Sequence, residues 1–169
     1  MRVEVLGCSG GIGGASRTTA LRVDEDVLID CGTGVGDLAL EQLLRIDHVF
    51  LTHAHLDHVA LLPMLADAGV GWRAAPLTAY ALPETLATLK DCLFNGRVWP
   101  DYTSPPHPTL RLQPIEVGAP VVLGTRRFTP LPVRHAVPAV GWRLDSGAAS
   151  LVFSGDTTYS DAFWEAVNA

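Results

Sequence analysis

The sequence predicts a mixed α/β fold in which two sheets are covered by helices. Three observations carry that expectation. Strand-like segments cluster in two groups, helix-like segments fall between and after them, and no linker, repeat or low-complexity stretch divides the chain. At 169 residues the length is that of one domain, spanning 1–169. A chain of this size buries about 70% of its unfolded surface and needs no disulfides to build a core.

The elements follow in order. Residues 2–6 alternate apolar Val3 and Val5 with polar neighbours, as a half-buried strand does. A glycine-rich loop covers 7–17. Strands are expected at 18–23 and 27–30, joined by the acidic turn Asp24-Glu25-Asp26. Residues 37–44 read as a helix with Leu40, Leu43 and Leu44 on one face, and 48–52 (HVFLT) as a buried strand. Residues 59–67 read as a helix, in which Pro63 is tolerable only in the first turn. A strand at 77–81 precedes a helix at 83–94, with proline early and Asn95-Gly96 as the stop. Four prolines make 97–108 an ordered loop, which includes the isolated His107. Strands recur at 109–117, 121–123, 127–134, 141–145 and 150–153, and Ser160 caps a helix at 161–167.

Composition excludes several classes of function. Hydrophobic content of 48% rules out disorder, and no run of about 18 apolar residues exists to span a membrane. Net charge is −6, with 11 Arg and the single Lys90, which argues against a broad nucleic-acid surface. Cys8, Cys31 and Cys92 lack metal-finger spacing and read as reduced thiols. The opening Met-Arg-Val-Glu-Val lacks the apolar core of a signal peptide, so a cytoplasmic location is expected.

The chemistry concentrates in Thr52-His53-Ala54-His55-Leu56-Asp57-His58, directly after an apolar strand. At a strand end, His53 and His55 point to the same side and can grip one metal. Asp57 and His58 follow the turn and can face a second. Imidazole and carboxylate suit borderline metals such as zinc. A solvated polar loop would leave the hydrophobic strand leading into the cluster unexplained. His135 and Asp156 follow two later strands and complete a set of strand-end ligands, although either alone reads as a surface or turn residue.

Here the sequence resembles the metallo-β-lactamase superfamily of hydrolases. The resemblance rests on the H-x-H-x-D-H run, His135, Ser154-Gly155-Asp156-Thr157 and the early Val27-Leu28-Ile29-Asp30-Cys31-Gly32-Thr33-Gly34. It implies a four-layer αβ/βα sandwich. It also implies two divalent metals, zinc first with manganese or iron as alternatives, and a bridging hydroxide as nucleophile. By the family pattern His53, His55 and His135 hold one metal, Asp57 and His58 hold the other, and Asp156 bridges them. Asp57 and Asp30 form the catalytic set, Asp30 acting by orienting the histidines; the bland reading of Asp30 is a turn residue. The family's final metal-binding histidine lies on a later strand and has no match here. The expectation is a domain lacking its C-terminal part, its second metal short of one ligand.

Within the superfamily, Leu56, the segment 89–101 and Gly7-Cys8-Ser9-Gly10-Gly11 resemble the class II cyclic-nucleotide phosphodiesterases. That branch implies a small nucleotide substrate, a 3′,5′-cyclic nucleotide opened to the 5′-monophosphate, and leaves a homodimer open. Trp99 or Tyr102 would stack on a purine. The residues after His58 depart from that branch. The alternatives are a tRNA 3′-processing endonuclease, another ester or lactam metallohydrolase, or an inactive metal-binding fragment. Gly7-Cys8-Ser9-Gly10-Gly11 also fits G-x-S-x-G, but no helix follows, so Ser9 is no nucleophile. The glycines are expected to let backbone approach the metal site closely.

Overall fold

The computed structural model describes residues 1–104 and 108–169. The first sheet has six strands in sequence order: β1 (Val3–Gly7), β2 (Ala20–Val23), β3 (Val27–Ile29), β4 (His48–Phe50), β5 (Leu77–Ala81) and β6 (Leu110–Pro114). β1, β2 and β3 pair antiparallel; β3 to β6 are parallel. The second sheet is an antiparallel meander of β7 (Val121–Leu123), β8 (Arg126–Pro132), β9 (Val140–Asp145) and β10 (Ser150–Phe153).

Strand parity builds two cores from one sheet. Leu28, Val49, Leu51, Leu77 and Ala79 face helices α2 (Leu56–Val59), α3 (Leu62–Ala68) and α4 (Pro83–Cys92). Their alternates Val27, Ile29, Phe50 and Tyr80 face the second sheet, where Phe128, Trp142 and Leu144 meet them. Phe50 stacks on Tyr80 at 4.5 Å and on Phe128 at 4.2 Å, and Trp142 meets it edge-on at 5.0 Å. Helix α5 (Asp161–Asn168) covers the outer face of the second sheet. Phe163 lies over Gly141, and Arg143 donates to the carbonyls of Ala166 and Val167. The layers run helix, sheet, sheet, helix, as the resemblance implies.

Several expected elements differ in extent. The helix at 37–44 is a 3₁₀ turn, Thr33–Asp37, followed by the short α1 (Leu40–Leu43). Leu38 and Ala39 are extended, with ψ 140° and 155°, so the helix starts only after Ala39. The helix at 59–67 is divided into α2 and α3 because the Leu61 amide bonds the Cys31 carbonyl, and the helix restarts with Pro63 in its first turn. The strand at 109–117 spans only Leu110–Pro114. The helix expected at 83–94 ends at Cys92 with Leu93 as its cap; the Asn95 side-chain amide donates to the Asp91 carbonyl just beyond, Gly96 takes φ +73°, and the Ser160 hydroxyl accepts from the Phe163 amide. Pro105, Pro106 and His107 lie outside the described residues. Among the described residues no helix is long and apolar enough to cross a membrane.

The topology sets where the chemistry sits. β3 and β4 end at the same edge of the first sheet and are followed by Asp30 and His53. β8 and β10 run parallel across β9 and are followed by His135 and Asp156. The Val140 amide donates to the Thr52 carbonyl at 2.9 Å and joins the two sheets at that edge. Ligand sites of open α/β sheets form at such carboxyl edges.

Candidate metal centre

His53 is fully buried behind β4, and its neighbours fix its ring. Its Nδ1 lies 3.0 Å from the Thr52 hydroxyl, while its Nε2 is buried with no hydrogen-bond partner among the described residues. Burial, reinforced by His58, His135 and His55, pushes its pKa down to about 3, so the ring is neutral. An unpaired lone pair in a dry site is what a metal ligand offers, and the site fits a divalent ion on this observation.

His55 and His135 close on the same point. His55 Nδ1 and His135 Nε2 are 3.1 Å apart, and each ring centroid lies within 5 Å of that of His53. An Asp156 oxygen is 4.0 Å from His135 Nε2. His53, His55, His135 and Asp156 each offer an atom within 4.8 Å of the others. Asp57, His58 and Asp156 form a second such group, with His58 Nε2 3.5 Å from a carboxylate oxygen of each aspartate. All six residues expected as ligands are thus brought together, in the expected two groups sharing Asp156.

Asp30 is fully buried and adopts φ +58°, a conformation rare for a residue other than glycine and common at functional sites. It accepts from the Thr52 amide at 2.7 Å and from the Thr52 hydroxyl, and its other oxygen lies 2.7 Å from His58 Nδ1. With the Thr52 hydroxyl donating to Asp30, that oxygen accepts from His53 Nδ1–H. Asp30 itself accepts from His58 Nδ1–H. Both Nε2 atoms are thereby left as lone pairs facing the cluster. Burial opposes charge on His58, but the hydrogen bond and field of Asp30 outweigh it and hold its pKa above the ordinary value. Burial pushes Asp30 itself up, against the hydrogen bonds from His58 and Thr52.

Thr52 went unrecognised in the sequence. Its one signal is a threonine at the end of an apolar strand, immediately before the first histidine. Gly32 also matters. A Cβ there would overlap the Asp57 carbonyl and Thr18 Oγ1, and would lie 2.6 Å from the Thr19 carbonyl. Close backbone approach is therefore made at Gly32. In the glycine-rich loop, only Gly7 is crowded among the glycines, and Gly10, Gly11, Gly13 and Gly14 border open space. Trp99 and Tyr102 are not brought to the cluster. They pack on the helix-side core, and Tyr102 bonds Thr109 and Leu110, where β6 begins, at the sheet edge opposite the histidines.

A family model described as the β-lactamase superfamily domain matches residues 25–169. The chain belongs to that superfamily. Its fold is the superfamily's α/β fold, with one mixed and one antiparallel sheet. A ribonuclease Z of Crocosphaera subtropica is 31% identical over 157 residues, which cover 85% of this chain and 47% of that protein. The chain thus spans about half the length of the curated superfamily relatives it matches. The metallo-β-lactamase fold protein YhfI from Bacillus subtilis aligns with a TM-score of 0.73 and 25% identity, covering 94% of this chain and 64% of its own. Unliganded yeast PDE1 aligns at 0.76, covering 98% and 69%; at 17% identity it shares the fold alone.

Proposed function

We propose that the chain carries the metal centre of a phosphodiester hydrolase acting on a small diester, a 3′,5′-cyclic nucleotide opened to the 5′-monophosphate. The observation that carries this reading is the pair of ligand groups sharing Asp156. His53, His55, His135 and Asp156 would hold one divalent ion, and Asp57, His58 and Asp156 the other. Zinc suits the imidazole-rich donors, with manganese or iron as alternatives. Such ions supply a Lewis acid for phosphoryl oxygens and a water acidified to near neutral pH. The chain's own part is to keep His53 neutral, to fix the His53 and His58 tautomers through Thr52 and Asp30, and to seat the cluster at the edge where both sheets end.

Cleavage of RNA near its 3′ end is the second reading, favoured by the likeness to ribonuclease Z. Against it stands the net charge of −6, since binding to a phosphate backbone draws on clustered Lys and Arg. Protein loaded with Zn²⁺ or Mn²⁺ should be assayed on cyclic AMP, an aryl phosphodiester and precursor tRNA. Turnover of the two small diesters supports the first reading; turnover of precursor tRNA alone would replace it with the second.

A further inference from the structure

A cleft of about 400 Å³ opens beside the cluster, its lining including Gly11, Ile12, Thr18, Thr33, Leu56 and Asp57. Asp57 belongs both to the wall of this cleft and to the second ligand group, so the cleft adjoins the cluster. The walls are mostly apolar, and two large side chains stand uncovered there: Ile12 is 78% and Leu56 66% exposed. The lining contains no Lys or Arg, and its one charged side chain is Asp57, a member of the cluster. An anionic substituent would find no counter-charge, whereas an uncharged ring would cover both aliphatic side chains.

The C-terminal end of the loop is fixed to the body of the fold. Thr18 and Thr33 exchange reciprocal hydrogen bonds of 2.8 and 2.7 Å between amides and hydroxyls, which pins the end of the loop to the segment after β3. Trp99 and Tyr102 lie at the opposite edge and leave the role of ring platform vacant.

We propose that this cleft is the subsite for an uncharged aromatic substituent of the phosphoester, with Ile12 and Leu56 as its gripping side chains. The proposal rests on the phosphoester reading above. It makes the loop between β1 and β2 a determinant of substrate choice.

Phenylphosphonate and methylphosphonate separate the two ideas, because both offer the same anion and only one carries a ring. Binding to zinc-loaded protein is read by calorimetry, without turnover. Phenylphosphonate should bind about tenfold more tightly, equivalent to about 1.4 kcal/mol. Ile12→Ser removes one grip, and Gly11→Val adds a branched side chain on the cleft's lining, where a Cβ meets nothing within 4 Å. In both variants the ratio of the two affinities should fall toward one. Zinc content and thermal midpoint confirm that each variant folds, and Val122→Ser, exposed on the second sheet, should keep the wild-type ratio. A wild-type ratio near one, or a ratio unmoved in both loop variants, overturns the subsite while leaving the metal centre standing. If neither phosphonate binds, the phosphoester reading falls and the subsite with it.

Discussion

Asp30→Asn changes one atom and isolates the role of the buried carboxylate. Asp30 faces three donors: the Thr52 amide at 2.7 Å, the Thr52 hydroxyl at 2.8 Å and His58 Nδ1–H at 2.7 Å. An asparagine keeps one acceptor oxygen and presents an NH₂ in place of the other. The Thr52 backbone N–H cannot change its character, whereas an imidazole can exchange tautomers. The amide oxygen should therefore turn to Thr52 and the NH₂ to His58. His58 then accepts at Nδ1 and carries its proton on Nε2, the nitrogen that faces Asp57 and Asp156. Loss of such a supporting partner costs about 10–100-fold in metal affinity, or about 1.4–2.8 kcal/mol. The loss should fall on the Asp57, His58 and Asp156 group. Zinc titration by calorimetry measures it, and urea unfolding of the metal-free variant should show a change within about 1 kcal/mol, since no volume is lost. Wild-type zinc affinity in the asparagine variant would refute the tautomer argument.

Gly32→Ala should destabilise the protein by about 1–3 kcal/mol in urea unfolding, because a methyl group must displace the backbone carbonyls of Asp57 and Thr19 and the Thr18 hydroxyl. Trp142→Phe should cost about 1–3 kcal/mol: it leaves a void between the sheets and unpairs the Leu51 carbonyl, which Trp142 Nε1 meets at 3.2 Å. The hydrogen bond from Arg126 holds the Asp26 carboxyl below its ordinary value, with burial opposing. A lowered carboxylate pKa gives stability that is complete above about pH 4 and lost as pH falls through the folded value. The side chain is a third exposed, so wild type should exceed Asp26→Asn by about 1 kcal/mol at most near neutrality. That gap in urea midpoint should close below about pH 4.

What could be read from the sequence follows the distance over which each signal acts. His53, His55, Asp57 and His58 are separated by a strand end and one turn, so spacing alone places them on one side. His135 and Asp156 reach the cluster through the pairing of the second sheet, which spacing does not encode; their places after two strands make them candidates, and the family resemblance adds which metal each would hold. Thr52 escaped notice because its role depends on where its hydroxyl lies between Asp30 and two rings. The division of 59–67 into α2 and α3 depends on a long-range bond from Leu61 to Cys31 that no helical periodicity reports. Stacking on a purine is expected of Trp99 or Tyr102 because an aromatic face binds a base without needing hydrogen bonds. The parallel course of β5 and β6 puts them at the far edge instead.

The central claim is that two metal sites share Asp156. Zinc bound per chain, measured by elemental analysis and calorimetric titration of wild type and Asp156→Ala, tests it most directly. The wild type should bind two equivalents, and the variant should bind both more weakly. One equivalent in the wild type, or two equivalents bound with undiminished affinity by Asp156→Ala, would contradict it.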